Sequence, residues 1–183
     1  ERSRDQVTDE VTAEAELIRS ASEGNLGSFA QLVALYRPRV IRTAYGIVGS
    51  PDEAEDVAQE VFIKVWSNLA HYNAQGAFAS WLYRITTNAA IDSLRKRRRE
   101  VPLEPYHSVD KEPPEATVVA NDSRERLKKA VNALPPNARA TLILREFEQL
   151  SYKEIAEALQ IPIGTVMSRL NYARQLLRKE LTE

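Results

Sequence analysis

The stretch Leu150-SYKEIAEALQIPIGTVMSRLNYARQLLRKE-Leu181 decides the fold. Ser151 with Glu154 three residues later forms the pattern of a capping box, in which each residue satisfies an orphan donor at a helix start. Ile155, Ala156 and Leu159 then share one face of a short helix. Gln160-Ile161-Pro162 is a tight turn whose Ile161 can plug a core. A longer helix is predicted from about Ile163 to Leu181, entered through Gly164-Thr165. Short helix, brief turn and long helix is the spacing of a helix-turn-helix. At about 100° per residue, Val166, Leu170, Ala173, Leu177 and Leu181 make an apolar stripe. Ser168, Asn171, Tyr172, Gln175 and Lys179 lie opposite, flanked by Thr165, Arg169, Arg174 and Arg178. Asn, Gln and Arg can pair with base edges through two bonds at once, and the remaining cations suit phosphates. Tyr152 and Lys153 follow Ser151 at a helix start, where free N–H groups favour a phosphate. An ordinary helical hairpin with a solvated face would share the spacing, but not the capping box, plug and basic long helix together.

Upstream, nearly every patterned segment also reads at helical spacing. Residues 1–11 read as a frayed tail. A short helix covers Glu14 to Ser22, stopped by Gly24. Phe29, Leu32, Val33 and Tyr36 repeat at i, i+3, i+4, i+7; Pro38 is expected to kink or break that helix before Val40, Ile41, Ala44, Tyr45 and Val48 resume it. Ser50-Pro51-Asp52-Glu53 is a strong start, with Ser50 as cap, Pro51 in first position and Glu53 able to close a capping box. That helix buries Ala54, Val57, Ala58, Val61, Phe62 and Val65. A loop runs from Asn68 to Gln75. The next helix, Phe78 to about Arg98, buries Phe78, Leu82, Ile85 and Ala89. Trp81, Arg84, Asn88, Ile91 and Arg95 fall along its flank. Residues 101–122 hold four prolines and five acids and read as an extended linker. Helices resume from Ser123 to Leu134 and from Ala138 to Glu148. The fold class is therefore all-α: two small helical domains, 12–100 and 123–183, joined by that linker.

Composition narrows the function. The chain of 183 residues carries a net charge of -1. Residues 1–100 are net -1, residues 101–122 net -4 and residues 123–183 net +4. A basic block after an acidic connector points towards nucleic acid. With no Cys, disulfides, thiol catalysis and Cys-ligated metal are excluded. The polar start carries no signal-peptide pattern, and no apolar run approaches a membrane span, so no membrane insertion is expected and a cytoplasmic place fits. His71 and His107 lie in loops without partner motifs, and the glycines form no phosphate-binding fingerprint. No enzyme, metal site or cofactor is expected.

The residues also carry a resemblance. Leu150 to Leu159, followed by Pro162-Ile-Gly-Thr-Val-Met-Ser-Arg-Leu170 and Ala173-Arg174, closely resembles region 4 of extracytoplasmic-function (ECF) sigma factors, the compact members of the sigma-70 family. Asp52-Glu-Ala-Glu-Asp-Val-Ala-Gln-Glu-Val-Phe-Ile-Lys-Val-Trp66 resembles their region 2.2, Phe78 to Asn88 their region 2.3, and Ala89 to Arg99 their region 2.4. Tyr172 departs from relatives, which often carry Arg there.

The resemblance implies an initiation factor that binds core RNA polymerase, recognises the -10 and -35 promoter elements and assists melting. It implies that Asp56, Gln59 and Glu60 meet the clamp helices of the largest polymerase subunit, and that the flap of the second-largest subunit is a further partner. Tyr72, Trp81, Arg84, Asn88, Ile91 and Arg95 would grip the -10 element, with aromatic faces stacking on unpaired bases. The loop around Tyr72 would wall a pocket for a flipped-out base. Lys96, Arg98 and Arg99, in the run Arg95 to Arg99, suit phosphates. Thr165, Ser168, Arg169, Asn171, Tyr172, Arg174, Gln175 and Lys179 would read the -35 element. An anti-sigma protein is a further implied partner. The competing reading is a two-domain helix-turn-helix regulator that acts alone; a helical adaptor fits composition but ignores the motifs.

Overall fold

The computed structural model describes residues 4–72, 77–100 and 118–182, with side chains described for 12–72, 77–97 and 123–182. Among the described residues there are α-helices and one 3-10 turn, and no strand. In order they are α1 (Arg4–Ser22), α2 (Leu26–Val48), α3 (Pro51–Asn68), the 3-10 turn Leu69–His71, α4 (Phe78–Glu100), α5 (Val118–Ala133), α6 (Pro136–Glu146), α7 (Tyr152–Leu159) and α8 (Ile163–Thr182).

Local chemistry sets the helix ends. The Asn25 side chain accepts from the Ser28 N–H, and Gly49, at φ 78°, closes α2 in the left-handed region that glycine enters without strain. Ser50 caps α3, accepting from the Glu53 N–H. The expected capping box does not close there, because the Glu53 carboxylate accepts instead from Arg97 Nη1 at 2.7 Å. At α7 both halves form: Ser151 N–H donates to Glu154 Oε2 at 2.7 Å, and Glu154 N–H donates to Ser151 Oγ at 3.2 Å. Hydrogen bonds to its carboxylate from the Ser151 side chain first, then from the Ser151 N–H, hold the Glu154 carboxyl below its ordinary value.

Three expectations change. The first helix begins at Arg4, inside the stretch read as a tail. Helix α2 runs unbroken through Pro38. Ala34 and Pro38 both lie on its exposed side, so the carbonyl that proline leaves without a donor faces water, while Leu32, Tyr36, Val40, Thr43, Ala44 and Ile47 clamp the opposite face. Helix α5 begins at Val118, so the last residues of the stretch read as linker are helical; residues 101–117 lie outside the described ones.

Two cores form. Helices α1 to α4 enclose Leu32, Val40, Ile47, Val61, Leu69 and Leu82, each at most 2% exposed. Helices α5 to α8 enclose Leu134, Leu144, Ile155, Val166 and Leu170. Each fully buried aliphatic side chain contributes about 1.5–3 kcal/mol. Ile85, expected inside, is only half-buried.

The cores are not independent. Ala140 and Ile143 of α6 join the first core, and Tyr83 of α4 joins the second. A Cβ built on Gly46 would lie 2.7 Å from Ile143 Cδ1, so α2 and α6 approach as closely as they do only because position 46 has no side chain. Arg139, 3% exposed, reaches across from α6: its Nη1 donates to the Ile47 carbonyl at 2.6 Å, near the C-terminal end of α2. The two domains read from the sequence are thus folded against one another.

Candidate nucleic-acid interface

The first surface lies where the 3-10 turn meets α4. Tyr72 and Trp81 ring centroids are 5.0 Å apart, Phe78 and Trp81 5.6 Å, and Tyr72 and Phe78 5.6 Å with planes at 89°. Tyr36 extends the group, 5.3 Å from Phe78. Phe78 and Tyr36 are buried and anchor the group; Tyr72 and Trp81 are half-buried and present part of their rings. Aromatic faces held this way need little ordering before a base stacks on them. Burial first, then the nearby carboxylates of Glu14 and Glu157, pushes the Tyr72 hydroxyl above its ordinary pKa, so it stays a neutral donor.

A polar strip continues from this platform. Arg84 is half-buried, and Asn88, Arg95 and Lys96 are exposed. Arg95 pairs loosely with Asp92 at 3.4 Å, both well exposed, so the pair is weak. Ile91 is not part of the strip. It is 7% exposed and packs into the first core. The helical wheel places it beside Asn88, but the core reaches far enough around α4 to take it. Thr86 and Thr87 are fully buried; their hydroxyls donate to the Leu82 and Tyr83 carbonyls. Within the basic run, Arg97 is used internally, against Glu53 at 2.7 Å. The side chains of Arg98 and Arg99, and loop residues 73–76, lie outside the described ones.

The second surface is α8. Ser168, Asn171, Tyr172, Gln175 and Lys179 are exposed along one side, while Val166, Leu170 and Ala173 are buried on the other. Thr165, Arg169 and Arg174 are half-buried at the margin. Arg174 is engaged at home, 3.3 Å from Glu146; the Tyr152 hydroxyl first, then the Glu146 carboxylate, raise its already high pKa. Tyr152, half-buried, has the Arg145 guanidinium 5.4 Å from its ring centre, and Lys153 is exposed. Leu181, expected on the buried stripe, is 41% exposed near the end of α8.

A third surface lies on α3. Asp56 and Gln59 are exposed, and Glu60 pairs with Lys64 at 2.5 Å. Ile63, 67% exposed, and Trp66, 36% exposed, continue the same face, and the Trp66 ring lies tilted against Phe29 with centroids 4.8 Å apart. Sequence reasoning passed over these two apolar residues. Their signal was their position outside the buried stripe, at i+4 and i+7 from Gln59. Among the described residues no cluster of acids and histidines could hold a metal, and no helix is long and apolar enough to cross a membrane.

An exposed polar and basic face on α8 in one domain, and an aromatic platform with a polar strip in the other, are the two surfaces whose chemistry suits nucleic acid. The comparisons sharpen that reading. Residues 32–100 match the family Sigma-70 region 2, and residues 124–177 match Sigma-70, region 4. The chain is 38% identical to the ECF RNA polymerase sigma factor SigE of Mycolicibacterium smegmatis over 96% of its own length and 70% of that protein's. It is 33% identical to the ECF RNA polymerase sigma factor SigW of Bacillus subtilis, over 91% of this chain and 95% of that one. Among solved structures it resembles the sigma factor RpoE of Bartonella quintana, crystallised with the anti-sigma factor NepR, at 26% identity and a TM-score of 0.67, covering 86% of this chain and 98% of that one. CnrH, in complex with the cytosolic domain of CnrY, shares the fold at 24% identity and a TM-score of 0.71, over 93% of this chain and 97% of that one. The chain belongs to the ECF sigma factors of the sigma-70 family, and it functions as an RNA polymerase sigma factor. The reading as a regulator that acts without polymerase falls away, since the match spans both domains.

Proposed function

We propose that the three surfaces divide the work of promoter-specific initiation. Asp56, Gln59 and Glu60, extended by Ile63 and Trp66, dock on the clamp helices of the largest core subunit. The platform of Tyr72 and Trp81, with Arg84, Asn88 and Arg95, grips the -10 element and its unpaired strand. The exposed face of α8, from Ser168 to Lys179, reads the -35 element, and Lys96, Arg98, Arg99, Tyr152 and Lys153 hold phosphates. Region 4 also meets the flap of the second-largest subunit. Polymerase performs the chemistry; the chain contributes promoter choice and the capture of melted DNA. Its place of action is that of polymerase, the cytoplasm. The observation that carries this reading is the platform: partly exposed aromatic rings continued by an exposed Asn and Arg suit single-stranded bases and have little use in a duplex-only regulator.

An anti-sigma protein is the regulator this reading includes. An open groove of about 500 Å3 runs between the domains, lined by Tyr45, Leu127, Phe147 and Leu177 with Lys128 and Arg174 at its edges. An amphipathic helix with acidic flanks suits those apolar walls and basic edges.

The test is reconstitution. With core polymerase added, the chain is expected to direct transcription from a promoter carrying its -10 and -35 elements. Asn88→Ala is expected to lower promoter-dependent initiation at least tenfold while core affinity, measured by fluorescence anisotropy, stays within twofold. Loss of core affinity in that variant, or no core binding by the wild type, refutes the division.

A further inference from the structure

Helix α8 carries large apolar side chains at the edge of its polar side, and the fold of the chain has no use for them. Ile163 is 47% exposed and Met167 48%. They stand four residues apart, so they share one row of the helix, and that row runs on into Asn171. At about 100° per residue the row borders the exposed side formed by Ser168, Asn171, Tyr172 and Gln175. A lone exposed apolar residue is ordinary. Two in successive turns, at the N-terminal end of the long helix, are not, because a helix-turn-helix sets that end against base edges.

Gly164 lies between them in the chain. A Cβ built on it would meet nothing within 4 Å, and its φ is not positive. Neither packing nor backbone geometry within the chain calls for glycine there, although glycine weakens a helix relative to alanine. The missing side chain leaves an open notch, with Met167 and Ser168 one turn further on, where the backbone of α8 can come close to another molecule.

Ser168 gives the notch its polarity. Its hydroxyl donates to the Thr165 carbonyl at 3.0 Å, so it offers acceptor lone pairs outward. An acceptor beside an apolar patch is the complement of an A·T pair seen from the major groove. Adenine presents its N6 amino donor there, and thymine its C5 methyl. A G·C pair offers an amino donor on cytosine but no methyl. Phosphates gain nothing from apolar side chains; exposed Lys153 and Lys179 supply charge for them.

We propose that Ile163 and Met167, beside the Gly164 notch, form a seat for a thymine methyl group of the -35 element, and that this factor tells A·T from G·C there by direct contact. Ser168 completes the seat as acceptor for an adenine amino group. The proposal rests on α8 being the helix that reads the -35 element.

Uracil, which is thymine without the methyl, tests it. A promoter library randomised in the -35 element is made once with thymine and once with uracil in that element. Holoenzyme assembled from core polymerase and the whole chain then selects templates by transcription. The wild type is expected to favour A·T over its uracil counterpart about three- to fivefold at one or two positions, the factor for burying one methyl-sized group. Met167→Ala is expected to erase that difference, and Met167→Leu, still apolar, to retain most of it. Both should keep the wild-type urea midpoint, since the side chain is exposed. Gly164→Ala, which fills the notch, is expected to lower -35-dependent transcription at least threefold with no loss of stability. Equal enrichment on the two libraries by the wild type overturns the seat, as does a thymine preference that survives Met167→Ala combined with Ile163→Ala. A Met167→Ala chain that loses core affinity but keeps its thymine preference assigns the residue to a protein contact and also overturns it. If neither library yields any enriched -35 sequence, the reading of α8 itself fails, and the seat with it.

Discussion

Adding one methyl group at Gly46 probes the closeness of α2 and α6 directly. The new Cβ would meet Ile143 at three atoms, Cδ1 at 2.7 Å, Cγ2 at 2.9 Å and Cγ1 at 3.0 Å. Ile143 is 1% exposed and has little room to turn. Overpacking of this kind costs about 1–3 kcal/mol. Against it stands the intrinsic gain from replacing a mid-helix glycine by alanine, about 1 kcal/mol. The net expectation for Gly46→Ala is a loss of about 1 kcal/mol. Ile143→Ala removes all three obstacles, Cδ1, Cγ2 and Cγ1, and alone costs about 2–5 kcal/mol. In the double variant the clash is largely relieved, so its loss should fall short of the two single losses combined by about 1 kcal/mol. Urea unfolding followed by the fluorescence of Trp66 and Trp81 measures each arm of the cycle. Additivity within about 0.5 kcal/mol, the usual result for independent sites, would refute the reasoning. So would Gly46→Ala stabilising by the full helix gain.

Other outcomes follow from the buried and exposed sides of α3, α4 and α7. Ile91→Ala is expected to destabilise the chain by about 2–5 kcal/mol as a core truncation; a variant of wild-type stability with weakened -10 binding would return Ile91 to the DNA surface. Ile63→Asp, on an exposed position, should leave the urea midpoint unchanged and weaken core polymerase binding at least tenfold; unchanged affinity would remove Ile63 from the docking face. Glu154 has its carboxyl pKa lowered from 4.5 by the Ser151 bonds. Its contribution is therefore fully present above that value and fades as pH falls through the lowered one. Between pH 5 and pH 3 the wild type should lose more stability than Glu154→Gln, by equilibrium unfolding, and parallel curves would contradict the capping role.

The helix-turn-helix was legible because its signals are local. Ser151 and Glu154 are three residues apart, and the apolar period of α8 fixes its buried side without reference to anything else. Ile91 was misplaced for the complementary reason. A helical wheel assigns one buried side, whereas α4 is packed by the region 2 core and by α7. The sequence predicts a kink or break at Pro38 because proline's local cost is real; what outweighs it, the clamped inner face of α2, comes from helices distant in sequence. The seam between the domains was invisible. Arg42 Nε donates across it to Glu148 Oε1 at 2.8 Å from 106 positions away, and nothing in either neighbourhood announces the other. Gly46, a glycine inside a helical pattern, was the one local hint of a close approach.

Tyr83 and Arg84 are consecutive on α4, one bonded to Glu148 and the other in the strip proposed to meet DNA. If closure of the domains weakened promoter binding, promoter binding would weaken closure by the same factor. If the engaged form is a fraction f of the free chain, its apparent dissociation constant rises as 1/f.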